Sequence, residues 1–168
     1  MTTVTFKGNP IELQGTTVQA NQPAPAFELL NGSLETITLA NFKGKTVLLN
    51  VVPSLDTPVC AIQSKTFFSK LQNIPVELVT VSVDLPFAQK RFCGAENIEL
   101  QTLSDHRETN FGIGYGLLLP NLRLLTRAVI IIDANQQVKY VEVVPEVTNE
   151  PNYEAALQAL EQVVAAKV

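Results

Sequence analysis

Residues 47–60 read VLLNVVPSLDTPVC and join an apolar run to the start of a helical pattern. The run Val47–Val52 has the composition of a central strand that is covered on both faces. After Cys60, the residues on one face recur at steps of four, three, four and three, the spacing of a helix. These residues are Cys60, Ser64, Phe67, Leu71 and Ile74. The stretch therefore predicts a buried strand that leads directly into a helix, with a cysteine at the junction.

The segments on either side extend this pattern into a complete fold. Further strands are predicted at 76–83, 128–133 and 138–144, helices at 85–94 and 153–166, and a hairpin around the turn Lys7–Pro10. Strands that alternate with helices, followed by a hairpin and a closing helix, indicate a mixed α/β arrangement. We expect one domain over residues 1–168, a thioredoxin-like sandwich with a central mixed sheet and an N-terminal β-hairpin.

Composition and charge exclude several classes of function. The 168 residues carry a formal net charge of −4, which disfavours binding to nucleic acid. No segment reaches 18 apolar residues, and the N-terminus lacks the features of a signal peptide, so we expect no membrane association and a cytoplasmic location. Two cysteines and one histidine are too few for a four-ligand zinc site. The sequence predicts no metal and no organic cofactor, and the glycines of FGIGYG (111–116) are interpreted as turn residues.

Cys60 lies where helix geometry activates a thiol. With Thr57 as the N-cap, Pro58 is the first helical residue and Cys60 the third. The unpaired N–H groups of the first turn and the positive end of the helix dipole both favour a thiolate. The Thr57 hydroxyl would lie within reach of a ligand at the sulfur. The alternative is an inert cysteine that points into the core.

Cys93 is the only other cysteine, 33 residues downstream, before Gly94 at the predicted end of a short helix. An activated thiol and a second thiol at a helix end can form a sulfenic acid and then a disulfide. In a reducing compartment such a bond would be transient rather than a permanent crosslink. The alternative is a small apolar residue beside Phe92.

Several motifs together resemble the bacterial thiol peroxidases, an atypical two-cysteine branch of the peroxiredoxins. They are PSLDTPVC (53–60), SVDLPFAQKRFCG (82–94), LSDHR (103–107), RAVIIID (127–133) and VTNEPNYEAAL (147–157). The resemblance covers essentially the whole chain, including the N-terminal hairpin.

The resemblance implies a role for five residues. Cys60 would be the peroxidatic cysteine, and Cys93 the resolving cysteine of the same subunit. Thr57 would orient the peroxide, Pro53 would shield the pocket, and Arg127 would be the pocket arginine. The resemblance also implies a homodimer that reduces hydrogen peroxide and alkyl hydroperoxides with thioredoxin as reductant.

Three points remain open at this level. From the residues alone, Arg127 is better explained as a strand-end arginine that reaches solvent than as a catalytic residue, and Arg91 and Arg123 are rivals for the pocket. Pro58 stands where the family usually has a small residue, and a proline at this position opposes unwinding of the helix start. Because a disulfide needs Cα atoms within about 7 Å, we expect local unfolding around residues 58–60 and 91–94 on oxidation.

Other interpretations need other residues. A cysteine hydrolase would need His106 as its base, although the neighbouring charges suggest a solvated loop. A redox sensor would use the same Cys60–Cys93 disulfide without turnover. The apolar run 115–125, YGLLLPNLRLL, is predicted to form a dimer contact, or alternatively to pack on its own core.

Overall fold

The computed structural model describes residues 2–166 as a layered arrangement of strands and helices. The strands are β1 (Thr3–Phe6), β2 (Asn9–Glu12), β3 (Glu28–Leu30), β4 (Thr36–Thr38), β5 (Val47–Val51), β6 (Glu77–Ser82), β7 (Gln101–Ser104), β8 (Leu118–Leu119), β9 (Leu124–Leu125), β10 (Ala128–Ile132) and β11 (Val138–Val143). The α-helices are α1 (Pro58–Lys70), α2 (Pro86–Glu96), α3 (Asn110–Tyr115) and α4 (Tyr153–Ala165), and a 3₁₀ turn spans Leu39–Phe42.

Seven strands form one mixed sheet in the order β11-β10-β5-β6-β7-β3-β4. Strands β5, β6 and β7 are parallel, and α1 and α2 connect them. Strand β10 is antiparallel to both β5 and β11, while β3 is antiparallel to β7 and β4. Strands β1 and β2 pair separately as an N-terminal hairpin. The predicted mixed α/β class, central sheet and hairpin are confirmed.

Strand β5 is buried along its whole length, as the apolar run predicts. On one face, Leu48 packs with Phe67 of α1 and Leu160 of α4. On the other face, Leu49 belongs to a larger cluster that includes Phe111 of α3. Helices therefore cover both faces, which explains why the sequence of β5 shows no alternation. Within residues 2–166, no helix is long and apolar enough to span a membrane.

The predicted end of α2 at Gly94 is wrong. The helix continues through Gly94 to Glu96 and ends at Asn97, whose φ of 54° is left-handed. Asparagine can take this conformation because its short polar side chain tolerates it. Cys93 consequently lies inside the helix, and its carbonyl accepts hydrogen bonds from the backbone at Asn97 and Ile98.

The prediction of a dimer contact over residues 115–125 is also wrong for most of the run. Tyr115 and residues 117–119 are fully buried, and β8 and β9 form a short hairpin. Leu119 packs with Val4 and Leu13 of the N-terminal segment. The alternative applies: the run packs on its own core, and an acidic residue at Leu119 would perturb folding rather than report on assembly.

Asp105 follows β7 and fixes the start of α3. Its carboxylate accepts the N–H of Phe111 at 3.1 Å and of Gly112 at 2.8 Å. A Cβ at Gly112 would lie 2.7 Å from Leu125 Cδ2 and 3.3 Å from Asp105 Oδ2, so this close approach requires glycine. The glycines of FGIGYG thus belong to α3 and its cap rather than to a turn.

Burial of Asp105 raises the pKa of its carboxyl to about 6, although the two N–H groups and Arg123 act in the opposite direction. The folded protein therefore binds this proton more tightly than the unfolded chain, whose pKa is near 3.8. The resulting stabilisation is fully present below pH 3.8 and is lost as pH rises through about 6.

We expect the unfolding free energy of the wild type to fall relative to Asp105→Asn between pH 4 and pH 7.5. The relative loss should be on the order of 2 kcal/mol, because the wild-type carboxyl must ionise while buried. Urea titrations of both proteins at several pH values measure the difference in unfolding free energy. The contributions of other titratable groups are common to both proteins and cancel in this difference. Parallel pH profiles for the two proteins would contradict the assignment.

Candidate active site

Cys60 occupies the first turn of α1, directly after the loop that leaves β5. Thr57 is the N-cap with extended backbone (φ −103°, ψ 148°), Pro58 is the first helical residue, and Cys60 is the third. The Cys60 side chain has no solvent exposure and belongs to an apolar cluster with Leu55 and Phe92. The predicted position at the helix start is found, and the cysteine is also buried, as the alternative expected.

The loop between β5 and α1 is held by Asp84, a residue that the sequence analysis missed. Its carboxylate accepts Ser54 Oγ at 2.7 Å, the Leu55 N–H at 2.8 Å and Ser82 Oγ at 2.8 Å. Pro53 is buried in this loop. The acidic residue of the SVDLP motif thus fixes the backbone that precedes the cysteine.

The Thr57 hydroxyl does not cap the helix. It donates to the Ser54 carbonyl at 2.9 Å and remains exposed. Because its proton is committed to Ser54, the Thr57 oxygen presents lone pairs to the surroundings and can accept a hydrogen bond. The Thr57 oxygen is therefore suited to a ligand that carries an O–H group.

Arg127 places its guanidinium against the cysteine. Its Nη1 donates to Cys60 Sγ at 3.3 Å and to Gln63 Oε1 at 2.9 Å, while its Nε donates to the Val147 carbonyl at 2.7 Å. The residue is only 3% exposed. The interpretation of Arg127 as a strand-end arginine that reaches solvent is therefore wrong.

The two rival arginines lie elsewhere. Arg91 pairs with Asp56 at 3.3 Å, and both side chains are largely exposed. Arg123 donates to Thr109 Oγ1 at 2.8 Å, near the start of α3. Within residues 2–166, Arg127 is the arginine that hydrogen-bonds to Cys60.

A buried polar network lies behind Arg127 and was not predicted. Gln63 Nε2 donates to Asn50 Oδ1 at 2.5 Å, and Asn50 Nδ2 donates to Ser64 Oγ and Thr80 Oγ1 at 3.0 and 3.1 Å. These three hydrogen bonds fix the orientation of the Asn50 amide, which in turn directs Gln63 Oε1 toward Arg127. The side chains of this network are fully buried, so water cannot reach them and they satisfy one another's hydrogen-bonding groups.

Two signals could have revealed this network. Asn50 is the polar residue in the apolar run VLLNVV, and a buried amide needs partners. Gln63 follows Cys60 by three positions, so both lie on the same face of α1. Neither signal specifies that the network ends at an arginine.

Cys93 lies near the same apolar cluster as Cys60. Both cysteines are free thiols, and Cys93 packs against the cluster that contains Cys60 and Phe92. Its Sγ is 3.9 Å from the Leu100 carbonyl. Burial raises the pKa of the Cys93 thiol, an effect that the Leu100 backbone partly offsets. Cys93 thus favours the neutral thiol in this conformation.

The arrangement suits redox chemistry at sulfur. A buried guanidinium stabilises negative charge on Cys60 more strongly than it would in water. His106, the base that a hydrolase would need, is not among the described residues that hydrogen-bond to Cys60 or belong to its cluster. Within residues 2–166, no group of three His, Cys, Asp or Glu side chains is placed to hold a metal ion.

Comparison with known proteins gives a consistent assignment. A family model described as Redoxin matches residues 19–157. A thiol peroxidase of Halalkalibacterium halodurans is 50% identical over 161 residues, covering 95% of this chain and 97% of that protein. A thiol peroxidase of Bacillus subtilis is 45% identical over 166 residues, covering 98% and 99%. A crystal structure of a peroxiredoxin-like protein from Aquifex aeolicus is 38% identical with a TM-score of 0.91, covering 96% and 97%. The chain belongs to the Redoxin family and, within it, is a thiol peroxidase of the peroxiredoxin type.

Proposed function

We propose that this thiol peroxidase reduces hydrogen peroxide and alkyl hydroperoxides through a sulfenic acid on Cys60 and an intramolecular Cys60–Cys93 disulfide. The observation that carries the proposal is the 3.3 Å contact between Arg127 Nη1 and Cys60 Sγ, two side chains that are both buried. A cation held at a buried sulfur favours the thiolate, which is the nucleophilic form.

The first step is attack of the Cys60 thiolate on the terminal oxygen of the peroxide. The S–O bond forms as the O–O bond breaks, and the departing oxygen takes up a proton to leave as water or an alcohol. Arg127 and the first-turn N–H groups stabilise the charge on that oxygen. The Thr57 oxygen accepts the O–H of the peroxide, and Pro53 shields the pocket from water.

The second step joins the two cysteines. The Cys93 sulfur attacks the Cys60 sulfenic acid, a disulfide forms, and water leaves with the sulfenic oxygen. A dithiol partner, which we propose to be thioredoxin, then reduces the disulfide by thiolate exchange and supplies two electrons. The protein would act as a single-domain subunit of a homodimer. Its location would be the cytoplasm, a compartment that keeps such dithiols reduced.

We expect the C-terminal part of α2, which contains Cys93, to unwind while the first half of the helix stays folded. Its first half is held by Gln89, whose buried Nε2 donates to Ser82 Oγ at 3.0 Å and to the Leu103 carbonyl at 2.9 Å. Beyond that anchor, Gly94 lies in the last turn of the helix, and glycine is less favourable in a helix than alanine by at most about 1 kcal/mol. The segment around Cys93 therefore unwinds at lower cost than the segment around Gln89.

The direct test of the proposed function is intact mass with thiol labelling after one equivalent of cumene hydroperoxide. We expect the wild type to lose the mass of two hydrogen atoms and both labelling sites, since an internal disulfide forms. Cys93→Ser should instead gain one oxygen on Cys60, because the sulfenic acid has no partner. Two unreacted thiols in the wild type would contradict peroxidase chemistry. Oxidation that stops after one equivalent, even with thioredoxin and its reductase present, would favour the sensor.

Amide hydrogen exchange tests the expected unfolding. In the disulfide form, the amides of residues 59–60 and 91–94 should exchange faster than in the dithiol form, because both helix segments must open to bring the sulfurs together. Strand β10 is the internal control and should stay protected in both forms. Equal exchange of the two segments in both redox states would contradict the expected opening and indicate that the disulfide forms in place.

A further inference from the structure

The N-terminal hairpin is fastened to the loop after β11 by one carboxylate. Glu146 accepts Thr5 Oγ1 at 2.9 Å, the Lys7 N–H at 3.2 Å and the Gly8 N–H at 2.9 Å. It also accepts the N–H of Thr148 at 2.9 Å and Thr148 Oγ1 at 2.7 Å. Five donors from two segments far apart in sequence thus converge on a single side chain.

The hairpin turn is shaped to bind an anion. Lys7 and Gly8 both have positive φ, at 52° and 83°, so their successive N–H groups turn toward the same carboxylate. The surrounding donors, with Thr148 first among them, hold the pKa of Glu146 down to about 2. Glu146 is therefore ionised over the physiological range, and both of its carboxylate oxygens accept hydrogen bonds.

Backbone bonds on either side of Glu146 continue the attachment. The Thr5 N–H donates to the Pro145 carbonyl at 2.8 Å, and the Val147 N–H donates to the Thr5 carbonyl at 2.8 Å. The Val147 side chain is buried beside Val4 of β1. The peptide of Val147 thus depends on the hairpin for its position.

The Val147 carbonyl is also an acceptor for Arg127. Arg127 Nε donates to it at 2.7 Å, and the far side of the same guanidinium contacts Cys60 Sγ at 3.3 Å. A continuous path therefore runs from the Glu146 carboxylate to the sulfur, through hydrogen bonds that link Thr5, Val147 and Arg127 in turn. The guanidinium donates to Gln63 of α1 and to the Val147 carbonyl, and of these two acceptors Val147 lies in the loop after β11.

We propose that Glu146 is a positioning residue for the peroxidase reaction, which fastens the hairpin so that the Val147 carbonyl directs Arg127 at Cys60. The proposal rests on the proposed function of Cys60, and it makes the N-terminal hairpin a working part of the active site. Glu146 acts without touching the sulfur, so its contribution depends on Arg127.

The test is a double-mutant cycle in the Cys93→Ser protein, with the rate constant for Cys60 oxidation by cumene hydroperoxide as readout. Glu146→Gln keeps the shape but turns an N–H₂ group toward donors, and should lower the rate roughly tenfold by displacing Arg127. Arg127→Lys keeps the charge but lacks the fork that joins Val147 to Cys60. In that background, Glu146→Gln should change the rate less than twofold. Equal losses in both backgrounds would overturn the proposal.

Asp133→Asn is the matched control. Asp133 accepts the N–H groups of Asn135 and Gln137, both at 2.9 Å, in the turn at the opposite end of β10 from Arg127. This change should lower thermal stability and leave the oxidation rate unchanged. If Glu146→Gln also left the rate unchanged, the proposal would be wrong. Should Glu146→Gln fail to fold, Thr5→Val removes one donor to the same carboxylate and should give a smaller loss of the same kind.

A second readout separates this proposal from the proposed function. Alkylation of Cys60 by iodoacetamide needs no peroxide, yet it depends on the thiolate that Arg127 stabilises. We expect Glu146→Gln to slow alkylation by about the same factor as oxidation. If Cys60 of the wild type failed to react with peroxide while Glu146→Gln still slowed alkylation, the peroxidase function would fail and the positioning role would stand. Unchanged alkylation in the variant would overturn the positioning role.

Discussion

The buried contact between Arg127 and Cys60 is the constraint on which the rest of the site depends. A guanidinium that is almost fully buried is costly unless an anion compensates it. The groups that accept its hydrogen bonds within residues 2–166 are the Val147 carbonyl, the Gln63 amide oxygen and the Cys60 sulfur. Two of these are neutral, and in the proposed reaction the thiolate of Cys60 supplies the negative charge that the guanidinium stabilises.

Two groups of residues hold this contact in place, one in the core and one in the loop after β11. From the core, Asn50 on β5 orients Gln63, and Gln63 supports the guanidinium. From outside, the loop after β11 supplies the Val147 carbonyl and is itself fastened to the hairpin. The central strand thus contributes polar as well as apolar contacts, and the charged residue is held in one orientation before any substrate arrives. Such preorganisation is what makes a charged group effective in a reaction.

The sequence predicts the fold well because the relevant patterns are local. The apolar run of β5 and the helical spacing after Cys60 are visible within a few residues, and the structure has both. The helix α2 does not end at Gly94, because one exposed glycine in its last turn costs too little to stop the helix, whereas Asn97 accepts the left-handed conformation. The run 115–125 is apolar because most of its large side chains belong to the main core, while Leu119 packs against the N-terminal segment, more than a hundred positions away.

The site is less predictable than the fold, because it joins residues from distant elements. The helix-start geometry of Cys60 follows from Thr57 and Pro58 alone. The choice of Arg127 over Arg91 or Arg123 depends on which strand end faces α1, which only the resemblance to thiol peroxidases indicated. Asp84 and Glu146 carry no sequence signal for their roles, since each acts through hydrogen bonds to segments elsewhere in the chain. The spacing of Gln63 from Cys60 places both on one helix face but does not specify the contact of Gln63 with Arg127.

The most direct test of this account compares the rate of Cys60 oxidation by hydroperoxide in Arg127→Ala and Arg123→Ala. Both changes remove an arginine with a hydrogen-bond partner, but only Arg127 contacts the sulfur. The account predicts a loss of about 10²–10³-fold for Arg127→Ala and a change of a few-fold at most for Arg123→Ala. A larger loss from Arg123→Ala, or equal rates for the two variants, would contradict it.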